Sequence, residues 1–478
     1  TVRFKFQDTL KTISMPLGAF GDAFKLKQAK EVMCYDMYTQ EFVNKGGIAT
    51  KDQIHDLNFK DKEALIKNLN DWGCVVEGGY DMIKYSEIYC RADVHVLKEG
   101  WRVFRDYLLK SELSVDTFAY PTISSLGDAV LTEAGCYDGV NEISGIPRAF
   151  IALCSVGGRV MCAKNEKIMT RREQKVADMD AVSLYPSAMS EGPGFLKGVP
   201  KVWNKDVDLK KTDGYFLKIR VKKVGKKYDF PITCVRTEEG GNHWTNELED
   251  KEIFVDKNTL SMLINHQKIE YEIIQGYYFD EGRNKAIKAF IRTLFNMRLK
   301  LKSEGNPLQI AIKLLMNSCY GICGLKPVET DVAYRSYGED SDEFLSRHFN
   351  EIKSFTQLGN HDHRFEVYKE IDSHFNRQHV ACEVLSYSKV IMNRVMCLAE
   401  DNNIKIYYTD TDSMHIEHEY VKGGNDSVLA KLFKKKYNRD LDGKGLGQFH
   451  TDFEFGGSFS NIGGELVPCT LKSKGEIT

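Results

Sequence analysis

Two aspartates separated by a single residue, held in the turn of an apolar segment, are the feature that most restricts how this chain can fold. Residues 404–416 read as a β-hairpin whose turn, Tyr408-Thr-Asp-Thr-Asp-Ser413, is rich in Asp and Thr. In extended backbone, residues two apart share a face, so Asp410 and Asp412 are expected to point the same way. Two carboxylates held together repel unless a cation joins them, and Mg²⁺ prefers oxygen ligands. The alternative is ordinary hairpin-turn chemistry.

A pair of helices is predicted further upstream. Residues 283–302 form a basic amphipathic pattern, which the segment Ser303-Glu-Gly-Asn-Pro307 interrupts. Asn306 suits an N-cap and Pro307 suits the first helical position, so a second helix is expected from 307 to about Tyr320. A short loop between two helices predicts an antiparallel helical hairpin.

Three side chains of the second helix are expected to share one face. Lys313, Asn317 and Tyr320 are spaced by four and then three residues. A cation, an amide and an aromatic ring that face one way suit the phosphate, sugar edge and base of a nucleotide. The alternative is a solvated lysine beside a core aromatic residue.

An acidic segment that reads as a strand lies nearer the middle of the chain. The sequence Asp178-Met-Asp-Ala-Val-Ser-Leu-Tyr-Pro186 predicts a strand from Met179 to Tyr185 that ends at the proline. A carboxylate on a buried strand is costly unless it is paired or binds a metal, although either aspartate could instead cap a turn. Together, the three segments indicate phosphoryl transfer with two metals, a phosphate-binding cation and a nucleotide-binding face.

In this order, the three segments resemble the polymerase motifs of family B DNA polymerases. The resemblance covers roughly residues 80–455, and the Ser-Leu-Tyr-Pro186 and Lys313-x-x-x-Asn-Ser forms resemble the protein-primed branch and its viral and plasmid relatives. Gly157-Gly158-Arg159 stands where that branch has a Tyr-x-Gly-Gly linker motif, with Ser155 in place of the tyrosine. The resemblance implies a mixed α/β (α+β) fold: a right-hand polymerase palm and fingers with a partial ribonuclease-H-like exonuclease domain.

The resemblance also assigns roles to individual residues. Asp180 and Asp412 would be metal ligands, and Asp410 would support the second metal or the primer end. Alignment with Ser-Leu-Tyr-Pro186 favours Asp180 over Asp178, which lies two residues earlier on the same strand face. The implied nucleotide-binding residues are Ser183, Leu184, Tyr185, Arg298, Lys313, Asn317 and Tyr320, with Lys302 as an alternative to Arg298.

The N-terminal part resembles the end of a 3′–5′ exonuclease domain. Residues 85–110 read as a helix, and Tyr89-Cys-Arg-Ala-Asp93 on it matches the Tyr-x-x-x-Asp pattern of the third exonuclease motif. A spacing of four places both side chains on one face. The first two exonuclease motifs are not found in residues 1–80, so the chain is expected to begin within that domain.

The motifs divide the chain into a predicted order of domains. Residues 114–146 are expected to be looped. The thumb is expected to be missing, because the family's Lys-x-Tyr thumb motif cannot be placed near the end of the chain, where no tyrosine follows Lys472 or Lys474. The predicted order is a truncated exonuclease-like domain (1–115), a linker (116–170), palm with an insertion (171–280), fingers (281–325), a further insertion (326–380) and palm (381–478).

The expected function is template-directed DNA synthesis with Mg²⁺, with primer-template DNA and dNTPs as substrates and a terminal-protein primer as a candidate partner. A reverse transcriptase and a non-catalytic DNA-binding relic are the rivals. The separation of 232 residues between Asp180 and Asp412 argues against the first, and the intact carboxylates argue against the second.

Charge and hydropathy are compatible with this function without requiring it. The net charge is −2, but eleven Lys or Arg residues cluster in 197–227, which suits either a phosphate backbone or a solvated face. No signal peptide or membrane-spanning run is visible. The scattered cysteines are typical of reduced thiols in an intracellular protein.

Overall fold

The structure, a computed structural model, describes residues 7–166, 174–237, 240–306 and 308–456, together with short backbone segments of the last 22 residues. The chain divides into two compact units. The first comprises Thr1–Val130 and Thr293–Ser318, and the second comprises Leu131–Arg292 and Cys319–Thr478. The domain order predicted from the motifs stays a prediction.

The N-terminal part of the first unit is mainly helical around a small sheet, in which the strands follow the order β1-β3-β2. The long helix α5 begins where the side chain of Asp81 accepts a hydrogen bond from the N–H of Lys84, and it confirms the helix predicted over 85–110. The elements are α1 (Phe20–Ala23), α2 (Gln40–Asn44), β1 (Ile48–Ala49), α3 (Lys51–His55), α4 (Lys62–Asp71), β2 (Val75–Val76), β3 (Gly79–Asp81), α5 (Met82–Lys110) and α6 (Ile123–Glu133).

The second unit contains most of the remaining helices and all of the remaining strands that are described. Its long helix α13 packs against α7, α8 and α9. From α7 onward, the helices of the chain are α7 (Gly145–Cys154), α8 (Leu184–Glu191), α9 (Lys257–Met262), α10 (Ala286–Ser303), α11 (Leu308–Gly321), α12 (Glu339–His348), α13 (Gln378–Asp401) and α14 (Val428–Tyr437).

The strands of the second unit form several antiparallel sheets. The larger sheets have the strand orders β11-β8-β12-β7, β14-β16-β15 and β19-β5-β18-β17-β4. The strands are β4 (Val160–Cys162), β5 (Lys175–Ala181), β6 (Phe195–Leu196), β7 (Lys201–Val202), β8 (Gly214–Lys223), β9 (Cys234–Arg236), β10 (Asn242–Trp244), β11 (Glu252–Asp256), β12 (Glu270–Phe279), β13 (Arg283–Asn284), β14 (Thr330–Ser336), β15 (Ile352–Leu358), β16 (Asp362–Tyr368), β17 (Ile406–Asp410), β18 (Ser413–Glu417), β19 (Phe449–Gly456), β20 (Phe459–Ile462), β21 (Glu465–Pro468), β22 (Leu471–Ser473) and β23 (Glu476–Ile477).

The alternating burial of side chains along β8 explains why the sheet β11-β8-β12-β7 is stable. Leu217, Ile219 and Val221 of β8 are fully buried, and they pack against residues of β11 and α9 in one apolar cluster that also includes Cys397 of α13. Successive strand side chains point to opposite faces, so this pattern places one face of the sheet against the helices.

The two helices predicted on either side of residues 303–307 are confirmed as α10 and α11. Asn306 acts as the cap, because its side-chain oxygen accepts a hydrogen bond from the N–H of Leu308 at 3.0 Å. Pro307, predicted at the first helical position, lies outside the described residues.

The prediction that residues 114–146 are looped was wrong. They contain α6 and the beginning of α7. Thr122 and Ser125 cap α6 reciprocally, since each backbone N–H donates to the side-chain hydroxyl of the other at 3.1 and 3.0 Å. Leu126 and Val130, four residues apart, bury the apolar face of this helix. Pro121 precedes the helix, and the helix accommodates Gly127 without a break.

The strand predicted over Met179–Tyr185 ends earlier than expected. Strand β5 ends at Ala181, and α8 begins at Leu184. Pro186 therefore lies in the first turn of a helix, where its missing N–H removes no intrahelical hydrogen bond.

Candidate functional site

The strand that carries Asp180 lies inside the five-stranded sheet, between two other strands that carry polar residues. β5 pairs with β18 on one side and β19 on the other, so Asp180 is opposite Ser413 and His450. The antiparallel order β19-β5-β18-β17-β4 thus brings three distant parts of the sequence to one place.

The end of β5 is held by hydrogen bonds from both neighbouring segments. The N–H of Ala181 donates to the carbonyl of Asp412 at 2.7 Å, and the N–H of Val182 donates to the carbonyl of Gln448 at 2.9 Å. Ser183 then adopts a left-handed conformation, with φ +48°, and caps α8. The chain changes from strand to helix within two residues, which leaves Asp180 next to the N-terminus of α8.

The acidic hairpin that the sequence predicts is confirmed. β17 and β18 pair with Asp410 opposite Ser413, which leaves Thr411 and Asp412 as the turn. The N–H of Asp412 donates to the carbonyl of Asp410 at 2.6 Å, and Thr411 has a φ of +57°. Because Asp412 lies in the turn, strand alternation does not determine its orientation relative to Asp410, as the sequence argument assumed.

Asp180 belongs to a cluster of three possible metal ligands. One ligand atom each from Asp180, His450 and Asp452 lies within 4.8 Å of the others, and His450 Nε2 is 2.7 Å from Asp452 Oδ1. Carboxylate and imidazole groups are common metal ligands, so the donor set fits a divalent cation. Neither His450 nor Asp452 was identified from the sequence. The available signal was their spacing of two on a strand, the same spacing that singled out Asp410 and Asp412.

The competing carboxylate, Asp178, is buried in a different environment. It is 1% exposed, and its Oδ1 lies 3.4 Å from Nε2 of His415, the residue opposite it on β18. The neighbouring imidazole accounts for the burial of the Asp178 carboxylate without a metal ion. Asp180, by contrast, is partly exposed.

Two tyrosines of the nucleotide-binding prediction lie together. The ring centroids of Tyr185 on α8 and Tyr320 on α11 are 4.5 Å apart, with an angle of 33° between the ring planes. Burial raises the pKa of both hydroxyls, and the negative charge of Asp412 also raises the pKa of Tyr185. Tyr185 is therefore close enough to Asp412 to sense its charge.

Three of the other predicted nucleotide-binding side chains, those of Arg298, Lys313 and Asn317, belong to the first unit. Lys313 is exposed on α11, and Asn317 is partly buried one turn later. Arg298 of α10 donates from Nε to Oε1 of Gln309 at 3.3 Å, and burial lowers its pKa. Ser183 and Leu184 stand at the beginning of α8, next to the end of β5.

Comparison with known proteins identifies the family. Residues 1–415 match the family described as DNA polymerase type B, organellar and viral. The chain belongs to this family. A probable DNA polymerase of Ascobolus immersus is 24% identical over 454 residues, which cover 90% of this chain and 35% of that protein. A probable DNA polymerase of Neurospora intermedia is 26% identical over 381 residues, which cover 77% and 36%. The chain thus spans about a third of the length of these relatives.

A solved polymerase structure shares the fold of this type B family member. Phi29 DNA polymerase complexed with primer-template DNA and incoming nucleotide substrates aligns with a TM-score of 0.60 at 16% identity, covering 94% of this chain and 65% of that one. The predicted mixed α/β polymerase fold is confirmed by this likeness.

The exonuclease-like residues of this type B chain are bound to one lysine. Lys30 Nζ lies 2.7 Å from Oδ2 of Asp93 and also donates to the hydroxyl of Tyr89. The hydroxyl of Tyr35 is 2.8 Å from that of Tyr89. Tyr89 and Asp93 do share one face of α5, as their spacing predicts, and the ammonium of Lys30 occupies the space between them.

Much of the basic cluster in residues 197–227 is neutralised by acids on adjacent strands. Lys218 and Arg220 of β8 lie within 2.6 Å of the carboxylate of Glu252, and Arg220 and Lys222 lie 3.1 and 3.0 Å from Glu272. Cross-strand pairs of opposite charge stabilise a sheet. Because these cations form ion pairs within the sheet, they do not support a phosphate-binding face. No described helix is both long and apolar enough to cross a bilayer.

Proposed function

We propose that this chain performs template-directed DNA synthesis, joining deoxynucleotides from dNTPs to the 3′-hydroxyl of a DNA primer. Membership of the type B polymerase family supports the reaction. The primer-template DNA and nucleotides complexed with Phi29 polymerase support the choice of substrates.

The observation that carries the proposal is the main-chain hydrogen bonding around the end of β5. Ala181 and Val182 donate to Asp412 and Gln448, so the strand with Asp180 is fixed to both the acidic hairpin and the segment that leads to His450. Catalysis by positioned carboxylates requires this kind of rigid alignment, because small displacements of reacting groups are costly.

The carboxylates are proposed to hold Mg²⁺. Asp180 and Asp412 would be ligands, Asp410 would support the second metal or the primer end, and His450 and Asp452 lie where they could complete the coordination. A Mg²⁺ ion held by these residues would supply activation of the primer hydroxyl and stabilisation of the leaving pyrophosphate. The burial of Asp178 beside His415 supports Asp180 as the ligand of the two.

The remaining candidates are proposed to bind the nucleotide. The amides of Ser183 and Leu184 at the start of α8 would bind the triphosphate, because the N-terminus of a helix attracts anions. Tyr185 would lie beneath the sugar. Lys313 and Arg298 would bind phosphates, and Asn317 and Tyr320 would line the nascent base pair.

A primer-extension experiment tests the function. The purified chain is given a labelled DNA primer on a DNA template or on an RNA template of the same sequence, with Mg²⁺ and dNTPs. We expect extension on the DNA template that stops when any one required dNTP is omitted. Extension on RNA alone would indicate a reverse transcriptase. Tight DNA binding without extension would indicate a non-catalytic relic, and either result would overturn the proposal.

A terminal protein is proposed as the natural primer, on the basis of the protein-primed branch that the motifs resemble. The insertion 326–380 is the candidate docking region; it contains the β14-β16-β15 sheet and exposes large side chains such as Phe349 and Phe355. Template-dependent transfer of a labelled nucleotide to a protein, resolved on a denaturing gel, tests this. Labelled DNA that never becomes protein-linked would contradict it.

A further inference from the structure

The turn between Asp410 and Asp412 contacts a segment whose residues have no role in the proposed mechanism. Strand β4 is the edge neighbour of β17, with Val160 opposite Asp410. Immediately before β4, the carbonyl of Arg159 accepts a hydrogen bond from the N–H of Thr411 at 2.9 Å. The residue between the two aspartates is therefore held by the chain that enters the sheet at β4.

Gly158 lies so close to Thr411 that only a glycine fits. A Cβ at position 158 would lie 2.3 Å from Oγ1, 2.6 Å from Cγ2 and 2.8 Å from Cβ of Thr411, all shorter than the 3.0 Å that real Cβ contacts respect. Thr411 also has a φ of +57°, which is an outlier for a β-branched residue. Surrounding structure must hold such a conformation in place. The backbone at Gly158 and Arg159 contributes to this through the close approach of Gly158 and the hydrogen bond to the carbonyl of Arg159.

Arg159 is anchored in the interior and cannot move freely. It is 5% exposed, and its guanidinium donates to the carbonyls of Phe230 and Pro231 at 3.2 and 2.8 Å and to Oδ1 of Asn393 at 2.8 Å. Asn393 belongs to α13, so the anchor includes the long helix of the second unit.

A second anchor holds the start of the same segment. The buried Lys389, also on α13, donates from Nζ to the carbonyls of Val156 and Leu385 at 2.5 and 2.8 Å. The chain from Val156 to Arg159 is thus fixed to one helix at both ends, and a fixed backbone can impose its position on the turn that it touches.

We propose that Gly158 and Arg159 are positioning residues for the acidic turn: they fix Thr411 and, through it, the carboxylates of Asp410 and Asp412. The proposal rests on the function proposed above. It assigns these residues no contact with substrate or metal.

The test compares two adjacent glycines. Gly158→Ala forces a side chain into Thr411, whereas a Cβ at Gly157 meets nothing within 4 Å, and its φ is not left-handed. Gly157→Ala is therefore the matched control. We expect Gly158→Ala to lower kcat for nucleotide incorporation by about 10- to 100-fold, because the turn is displaced by a fraction of an ångström, and to leave KM for the primer-template nearly unchanged. Mn²⁺ affinity, measured by electron paramagnetic resonance, should fall for the same variant and not for the control.

A double-mutant cycle separates positioning from general damage. Thr411→Gly removes all three atoms that the new Cβ would meet, and glycine tolerates positive φ. In that background Gly158→Ala should have no further effect on kcat or Mn²⁺ affinity. This comparison remains valid if Gly158→Ala alone folds poorly, because the double variant lacks the clash.

The outcomes distinguish this inference from the proposed function. If wild type extends primers and Gly158→Ala behaves like Gly157→Ala, the positioning role is wrong and the polymerase function stands. An effect of Gly158→Ala that is equally large in the Thr411→Gly background also overturns it. If wild type extends no primer, the proposed function fails, and the positioning role is decided by the Mn²⁺ affinities of the four proteins in the double-mutant cycle.

Discussion

The backbone N–H of Ala181 donates to the carbonyl of Asp412 at 2.7 Å. This bond fixes the strand that carries Asp180 beside the turn of the acidic hairpin. Two carboxylates from distant parts of the sequence therefore have a defined relationship before any cation binds, which limits the rearrangement that metal binding requires.

Asp180→Asn and Asp412→Asn are each expected to lower single-turnover nucleotide incorporation by about 100-fold or more while the protein remains folded. Each substitution keeps the shape of the side chain and removes a charged ligand, and even the loss of groups that only support metal ligands costs 10- to 100-fold. Asp372→Asn, at an exposed position, is the control and should match wild type. Near-normal rates in either test variant would rule out the metal-ligand assignment.

Asp178→Asn should instead affect stability. The carboxylate is buried beside His415, and its loss is expected to reduce the free energy of unfolding by roughly 1–3 kcal/mol, as for other buried polar contacts that lose a partner. Urea unfolding measures this change, and kcat of the folded fraction should stay within a few-fold of wild type. A stable Asp178→Asn protein with no activity would show that Asp178, rather than Asp180, is the ligand.

Tyr185→Val is expected to weaken selection against ribonucleotides. The ring of Tyr185 is held against Tyr320. In the position proposed for it beneath the sugar, this rigid ring would leave no room for a 2′-hydroxyl. The ratio of kcat/KM for a deoxynucleotide to that for its ribonucleotide should therefore fall by about tenfold or more. Steady-state kinetics on one template gives this ratio. A variant that slows both substrates equally would make Tyr185 an ordinary packing residue.

A mismatched primer end should be degraded slowly or not at all by this chain. The ammonium of Lys30 already binds Asp93, and no three metal-ligand side chains converge within the described part of the first unit. Two-metal hydrolysis needs several such ligands. A labelled primer with a mismatched 3′ end measures the activity, with Asp93→Ala as the control that should change nothing. Rapid digestion that disappears in Asp93→Ala would contradict the prediction.

Glu400 should make stability depend on pH. Burial raises the pKa of Glu400 to about 7, and the charge of Asp229 acts in the same direction. Since the folded-state pKa lies above the ordinary value of about 4.5, the contribution to stability is complete below pH 4.5 and is lost as pH rises through 7. The free energy of unfolding of Glu400→Gln, relative to wild type, should therefore increase from pH 5 to pH 8. Glu112→Gln, at an exposed position, should show no such trend, and an equal trend in both variants would exclude Glu400 as the cause.

Local sequence patterns predicted an element correctly where its hydrogen bonds join residues that are close in the sequence. The acidic hairpin, the long helix with Tyr89 and Asp93, and the capped helix after Asn306 were all predicted from residues within a few positions of one another. The errors were local as well. Glycines around Ile123–Glu133 concealed the reciprocal cap of Thr122 and Ser125, and Pro186 was taken as the end of a strand although it is tolerated in the first turn of a helix.

The sequence by itself determined which chemical groups are available: the acidic pair in its hairpin, the aspartates of β5, and Tyr185 in the first turn of the following helix. Only the tertiary structure decided which of them meet. The order β19-β5-β18-β17-β4 places His450 and Asp452 beside Asp180, buries Asp178 against His415, and rests the acidic turn on Gly158. The physical reason is that the packing of the whole sheet and its helices determines which strands become neighbours. The spacing of residues within a single segment does not contain that information.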